Sequence, residues 1–340
     1  MTRVLVAGVV AGVISILAGP RFIAFLRRKE LGQQIREEGP AGHVVKQGTP
    51  TMGGVLILVA ASIAFFALSR YKLTGLTVIF VTLSCGAIGF LDDFTKLTHK
   101  RSLGLSGRWK LILLALVAAG AGYLAHRAHI EHQTSVYVPG TATRVNLGWF
   151  WYVFVFIVIA GAANGVNLSD GVDGLAAGTA IISLFTFTTM AIVAFIRSNP
   201  SHAALRDPNK LDLALVGAAL IGGAIGFLWY NAFPAEVFMG DTGSMALGGA
   251  LAGFAIMTKT ELLLLLIGGV YLVMALSVII QVLSFRYFGR RVFLMAPIHH
   301  HFEMKAWSET KIMVRFWIVA GILCAAGFAL FYRYYLKFTV

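Results

Sequence analysis

The feature that most restricts this chain is an apolar run of about 20 residues that keeps recurring, because a helix of that length just crosses the hydrocarbon core of a bilayer. Inside that core each segment must bond its own backbone polar groups, which favours helices. Runs at 3–26, 53–70, 75–93, 109–126, 149–167, 174–196, 211–230, 244–258, 262–285 and 312–335 are predicted as spans. They predict an all-α fold: a polytopic membrane bundle of about ten transmembrane helices, read as one domain over 1–340. Only 13% of residues are charged and 58% are hydrophobic, against about 25% charged in a soluble domain.

The net charge is +13. The basic residues flank the apolar runs, which suits anionic lipid headgroups and topology setting and argues against a nucleic-acid partner. Cys85 and Cys324 both fall inside apolar runs, which leaves no disulfide framework and no cysteine zinc site. Arg3 and the run behind it read as a first span, with no Ala-x-Ala-like cleavage site before the basic cluster near Arg27. Loops 27–52, 94–110 and 286–311 carry five Lys and Arg each, which places them in the cytoplasm and both termini outside. Gly217, Gly222, Gly223 and Gly226 suit close helix packing, and segment 127–148, with Pro139-Gly140 at its centre, reads as a small hairpin outside the membrane.

Seven aspartates are present. With ten spans, Asp92, Asp93, Asp170, Asp173 and Asp241 all fall at cytoplasmic helix ends or in the loops joining them, and only Asp207 and Asp212 lie by an outside loop. Random placement would scatter them over both faces.

Adjacent Asp92 and Asp93 repel each other at a membrane edge unless a cation or proton compensates, and Lys96 follows one turn later. Asn164, Asn167, Asp170 and Asp173 recur every third residue, which on a helix keeps them on one broad face. Gly171 and Gly174 loosen that helix and expose backbone N–H groups of the kind that bind phosphate or a base edge. Asp241 opens the eighth span, where an aspartate is a good cap and equally an oxygen ligand for Mg²⁺. Lys46 and Thr51 lie in a glycine- and proline-containing turn that is not a Walker loop. His299, His300 and His301 are consecutive; their side chains diverge, so they suit phosphate contacts or leaving-group protonation better than zinc. Before them, the aromatics and arginines of Phe285 to Leu294 fit a helix at the headgroup level.

These stretches, together with Phe238-Met-Gly-Asp241-x-Gly-Ser and Pro297-x-His-His-His-Phe-Glu, resemble the polyprenyl-phosphate N-acetylhexosamine-1-phosphate transferases. The triple histidine and Gly48-Thr-Pro-Thr-Met-Gly-Gly are similar to the bacterial branch acting on UDP-MurNAc-pentapeptide. The likeness runs from about Pro40 to Phe316.

The resemblance implies Mg²⁺-dependent transfer of a phospho-sugar from UDP-MurNAc-pentapeptide to undecaprenyl phosphate, giving lipid I and UMP for peptidoglycan synthesis. The setting implied is the bacterial plasma membrane with the site facing the cytoplasm, and a homodimer is raised as a quaternary state. By the same similarity Asp241 binds Mg²⁺, Asp92 is the candidate base, and Asp93 supports it, with both as further candidate metal ligands. Lys96, Lys110 and the three histidines complete the candidate catalytic set, neutralising the phosphates. Lys46, Asn231, Phe238, Gly171, Asp173 and Leu175 are implied near the uridine, with Phe238 stacking on uracil; Thr51, Asn164, Asn167 and Asp170 are the other candidate substrate contacts. An aspartyl-phosphate on Asp92 or Asp93 is the alternative mechanism. A sister enzyme using UDP-GlcNAc and a transporter with midplane carboxylates are the alternative functions.

Overall fold

The computed structural model describes residues 1–29, 48–99, 104–130, 132–141 and 143–335. Nine of the ten predicted spans coincide with a single helix each, and the tenth, 262–285, with two. These are α1 (Thr2–Arg28), α2 (Gly54–Leu68), α3 (Leu73–Thr98), α4 (Gly107–Arg127), α5 (Phe150–Ser169), α6 (Leu175–Ser198), α7 (Pro208–Asn231), α8 (Gly240–Met257), then α9 (Leu264–Ile267) with α10 (Gly269–Phe288), the short α11 (Ile298–Glu303) and α12 (Glu309–Leu330). Among the described residues eight helices are long and apolar enough to cross a membrane. The 15-residue α2 and the glycine-rich α8 are not among them. The chain is an all-α, multi-pass membrane bundle.

Helix α8 is the axis of the molecule. Every residue from Thr242 to Met257 is buried, and α2, α3, α5 and α6 pack around it. A second layer follows, in which α1 and α6 pack on α7 and α12 on α6. Helices α1, α10 and α12 bury little of their surface in the protein; side chains such as Leu5, Leu17, Ile279 and Ile322 are exposed, as suits contact with lipid. Packing in lipid gains nothing from apolar burial itself, so close contact between small residues holds such a bundle together.

The segment before α5 forms the predicted hairpin. Ser135–Tyr137 (β1) pairs antiparallel with Arg144–Asn146 (β2), Val136 opposite Val145. The side chain of Lys259 pins the hairpin to the end of α8: its Nζ donates to the Gln133 carbonyl at 2.7 Å and to Glu261 Oε1 at 2.9 Å.

Three local expectations need correction. The predicted span 262–285 breaks at Gly268 into α9 and α10. Phe285 to Leu294 is not one headgroup-level helix: Phe285–Phe288 end α10, Gly289 caps it in the left-handed conformation at φ +65°, and the chain then runs irregularly to α11. Nor do Asn164, Asn167, Asp170 and Asp173 share a helix. Helix α5 stops at Ser169, and a turn follows until Gly174, at φ +73°, starts α6. That left-handed value strains any residue with a Cβ, so glycine there suits the residue that opens α6.

Candidate active site

The C-terminal end of α3, the N-terminal ends of α4 and α8, and the 170–174 turn meet at one end of the bundle. The approach of α3 to α8 is very close. A Cβ on Gly89 would lie 2.1 Å from the Asp241 carbonyl oxygen, so only glycine lets the two helices meet there. Asp92, Asp93 and Asp241 each bring a carboxylate oxygen to within 4.8 Å of the others. Asp92 and Asp93 are buried and Asp241 is half-buried.

Two lysines join Asp92 to Asp241. Lys96 Nζ lies 2.7 Å from Asp92 Oδ2 and 3.0 Å from Asp241 Oδ1. Lys110 Nζ lies 3.1 Å from Asp92 Oδ1 and 3.0 Å from Asp241 Oδ2. The Leu105 N–H also donates to Asp92 Oδ1 at 2.7 Å. Asp93 points elsewhere. Its carboxylate accepts from the Asp241 N–H at 3.1 Å, the Thr242 N–H at 2.9 Å and the Thr242 hydroxyl at 2.7 Å. It therefore caps α8 from a neighbouring helix, where the free N–H groups and the positive end of the dipole favour an anion. Asp241, expected as a cap, lies in the first turn and is itself held by that cap. Thr242, which no motif reading singled out, is buried and completes the arrangement.

Asp170 faces the same end. Burial first, then the charges of Asp241, Asp93 and Asp173, hold its carboxyl well above the usual carboxylate range, against a hydrogen bond from the Gly240 backbone. A bound cation would relieve that repulsion. Asp173 instead accepts from the Ala235 N–H at 3.1 Å.

The candidate nucleotide contacts divide. Asn231 is buried and its amide spans two segments, accepting from the Gly174 N–H at 3.1 Å and donating to the Val237 carbonyl at 2.9 Å. Leu175 is fully buried in an apolar cluster with Val172, Val270, Met274 and Ala320. Asn164 donates back to the Ala160 carbonyl in its own helix, and the half-buried Asn167 lies one turn before Asp170. Phe238 is half-buried, and its backbone pairs with Pro50 and Gly53 at 2.8 Å each. This seats the turn holding the buried Thr51 against the start of α8. Lys46 lies outside the described residues.

The expected divergence of the three histidines holds only for His301; the rings of His299 and His300 lie side by side, their centroids 4.1 Å apart. His299 is buried, its Nε2 within 2.3 Å of where a Gly171 Cβ would be and 3.2 Å from His300 Nε2. His300 Nδ1 pairs with Glu303. His301 Nδ1 accepts from the Leu294 N–H at 3.1 Å. His299 thus ties α11 to the 170–174 turn.

Comparison with known proteins settles the affiliation. The model of glycosyl transferase family 4 matches residues 75–259. Residues 46–58 match phospho-N-acetylmuramoyl-pentapeptide-transferase signature 1. A phospho-N-acetylmuramoyl-pentapeptide-transferase of Frankia alni is 45% identical over 99% of each chain. Those of Rubrobacter xylanophilus and Halalkalibacterium halodurans are 43% identical over 98% and 46% identical over 92%. The chain belongs to the phospho-N-acetylmuramoyl-pentapeptide-transferase family. It is therefore an enzyme of the transferase class, and the family model covers α3 through α8, the elements that carry the three clustered aspartates.

Proposed function

We propose that this enzyme transfers phospho-N-acetylmuramoyl-pentapeptide from UDP-MurNAc-pentapeptide to undecaprenyl phosphate, releasing UMP and forming lipid I. The observation that carries the reading is a cluster of three carboxylates and two lysines at one end of a membrane bundle, in a chain 45% identical over nearly its whole length to transferases of that name. One substrate is a soluble polyanion and the other a lipid phosphate, so their meeting point belongs at the headgroup level. The basic loops favour the cytoplasmic face of a bacterial plasma membrane.

The donor set fits a hard divalent cation. Asp92, Asp93 and Asp241 offer only oxygen, the ligand Mg²⁺ prefers alongside phosphate oxygens and water. Asp241 and Asp92 would hold Mg²⁺, with Asp93 behind them as the clasp on α8. Bound there, the ion would supply charge neutralisation between two anionic substrates. Lys96 and Lys110 supply positive charge beside the transferred phosphoryl group, where positioning and electrostatics carry most of the rate. A phosphate monoester with its second pKa near about 6 is largely ionised at neutral pH, so the lipid phosphate is already a nucleophile. Asp92 then needs only to receive the residual proton. Direct attack is favoured over an aspartyl-phosphate because the ionised lipid phosphate needs no covalent intermediate to act as a nucleophile, and both Asp93 oxygens are engaged by α8 donors.

The test is UMP release by purified protein given UDP-MurNAc-pentapeptide and undecaprenyl phosphate, with and without Mg²⁺. Release that needs both substrates and the ion is expected. Equal release from UDP-GlcNAc would move the enzyme to the sister branch, and a phosphorylated enzyme trapped without lipid would overturn direct attack.

A further inference from the structure

Lys96 and Lys110 form a closed ring with Asp92 and Asp241. Each ammonium touches both carboxylates, and each of the four carboxylate oxygens touches an ammonium, at 2.7 to 3.1 Å. Two negative groups thus face two positive ones, which stabilises the carboxylates without any further ion. A divalent cation held by Asp241 and Asp92 needs these same oxygens. It would then sit against two ammonium groups in a partly desolvated site, where like charges repel strongly. Even with Asp93 counted, three negative charges would face four positive ones.

The lysines also differ from the other donors here. The N–H groups of Leu105, Asp241 and Thr242 are fixed in the backbone. Lys96 ends a flexible stem on the last turn of α3 and Lys110 another on the first turn of α4, with side chains 31% and 21% exposed. They can pivot toward solvent without disturbing a helix.

We propose that Lys96 and Lys110 are exchangeable counter-ions, which hold Asp92 and Asp241 in the free protein and pass to the phosphates of a nucleoside diphosphate when a divalent cation takes their place. This rests on the metal-dependent reading above and adds an order to it. Cation and diphosphate each bind weakly alone and tightly together, because only the pair restores charge balance. By linkage each tightens the other by the same factor.

The experiment measures Mn²⁺ binding by electron paramagnetic resonance to the full-length protein in detergent micelles, with and without UDP, after correction for Mn²⁺ held by UDP in buffer. For the unaltered protein, saturating UDP should tighten Mn²⁺ by at least tenfold, about 1.4 kcal/mol. Lys96→Gln and Lys110→Gln should each tighten Mn²⁺ binding to the free protein several-fold and shrink the UDP effect, although removing a cation from a metal site's neighbours would lower turnover. The thermal transition of each variant checks folding, and two variants keep the question answerable if one misfolds. Unchanged or weaker Mn²⁺ binding in the folded lysine variants would overturn the exchange. The metal reading itself fails, and the exchange with it, if the unaltered protein takes up no Mn²⁺ with or without UDP, or if Asp241→Asn takes it up equally well.

Discussion

Both ends of this bundle bury carboxylates, and they satisfy them by opposite means. At the end away from the site, Asp212 is buried and accepts from the Ser69 hydroxyl at 2.9 Å, the Arg70 N–H at 3.0 Å and the Lys72 N–H at 2.9 Å. It clasps the α2–α3 connection to α7 with neutral and mostly backbone donors. Nearby Asp207 caps α7 in the ordinary way, through the Asn209 N–H. At the other end Asp92 and Asp241 face ammonium groups on flexible side chains. Fixed donors make a carboxylate part of the scaffold, while mobile cations leave it free to trade partners. Asp93 shows that the distinction is not positional: it is adjacent to Asp92, yet it is committed to the start of α8 in the manner of Asp212.

The comparison breaks most easily at Asp241. Asp241→Asn should lower turnover by about 100- to 1000-fold or more with little change in the thermal transition, and added Mg²⁺ should not restore it; near-normal activity would remove Asp241 from the ligand set. Next comes Gly89→Val, which pushes α3 from the Asp241 carbonyl. A displacement of this order should cost about 100-fold in kcat, with UDP-substrate binding less affected, and unchanged kcat would mean that the α3–α8 spacing does not set the site. Asp212→Asn should do the reverse of Asp241→Asn. It places an N–H₂ group against backbone donors and should cost about 1–3 kcal/mol of stability, read as a lower thermal midpoint, while the folded protein turns over normally. Loss of activity with an unchanged midpoint would erase the contrast between the two ends. The smallest effect is expected for Phe238→Ala, which spares the backbone pairing to Pro50 and Gly53. Loss of one aromatic–base stack, about 1–3 kcal/mol, should raise KM for the UDP substrate and leave that for the lipid unchanged; equal losses would contradict a uracil contact.

The sequence by itself determined where the ten apolar runs turn helical and the end at which the acids gather, but not the break at Gly268 or the short α11. Length and apolarity against a fixed bilayer thickness decide the spans, and a membrane interior that excludes unpaired charge pushes carboxylates to helix ends. What it did not determine is which of those acids does chemistry. Asp92 and Asp93 read as one motif, but consecutive helix residues point about 100° apart, so packing sends one to the lysines and the other to α8. The same holds for Leu175, which sits in a motif but faces the core, for Asn231, whose amide is spent on two backbone groups, and for His299, buried against Gly171 with His300 beside it while His301 turns to Leu294. Thr242 was invisible because a hydroxyl has no role until the tertiary structure brings a carboxylate from another helix within reach. Residue type and spacing set what a side chain can do along its own helix; the partner it meets across the bundle, such as the α8 donors that Asp93 finds 149 residues away, is chosen only by the packed structure.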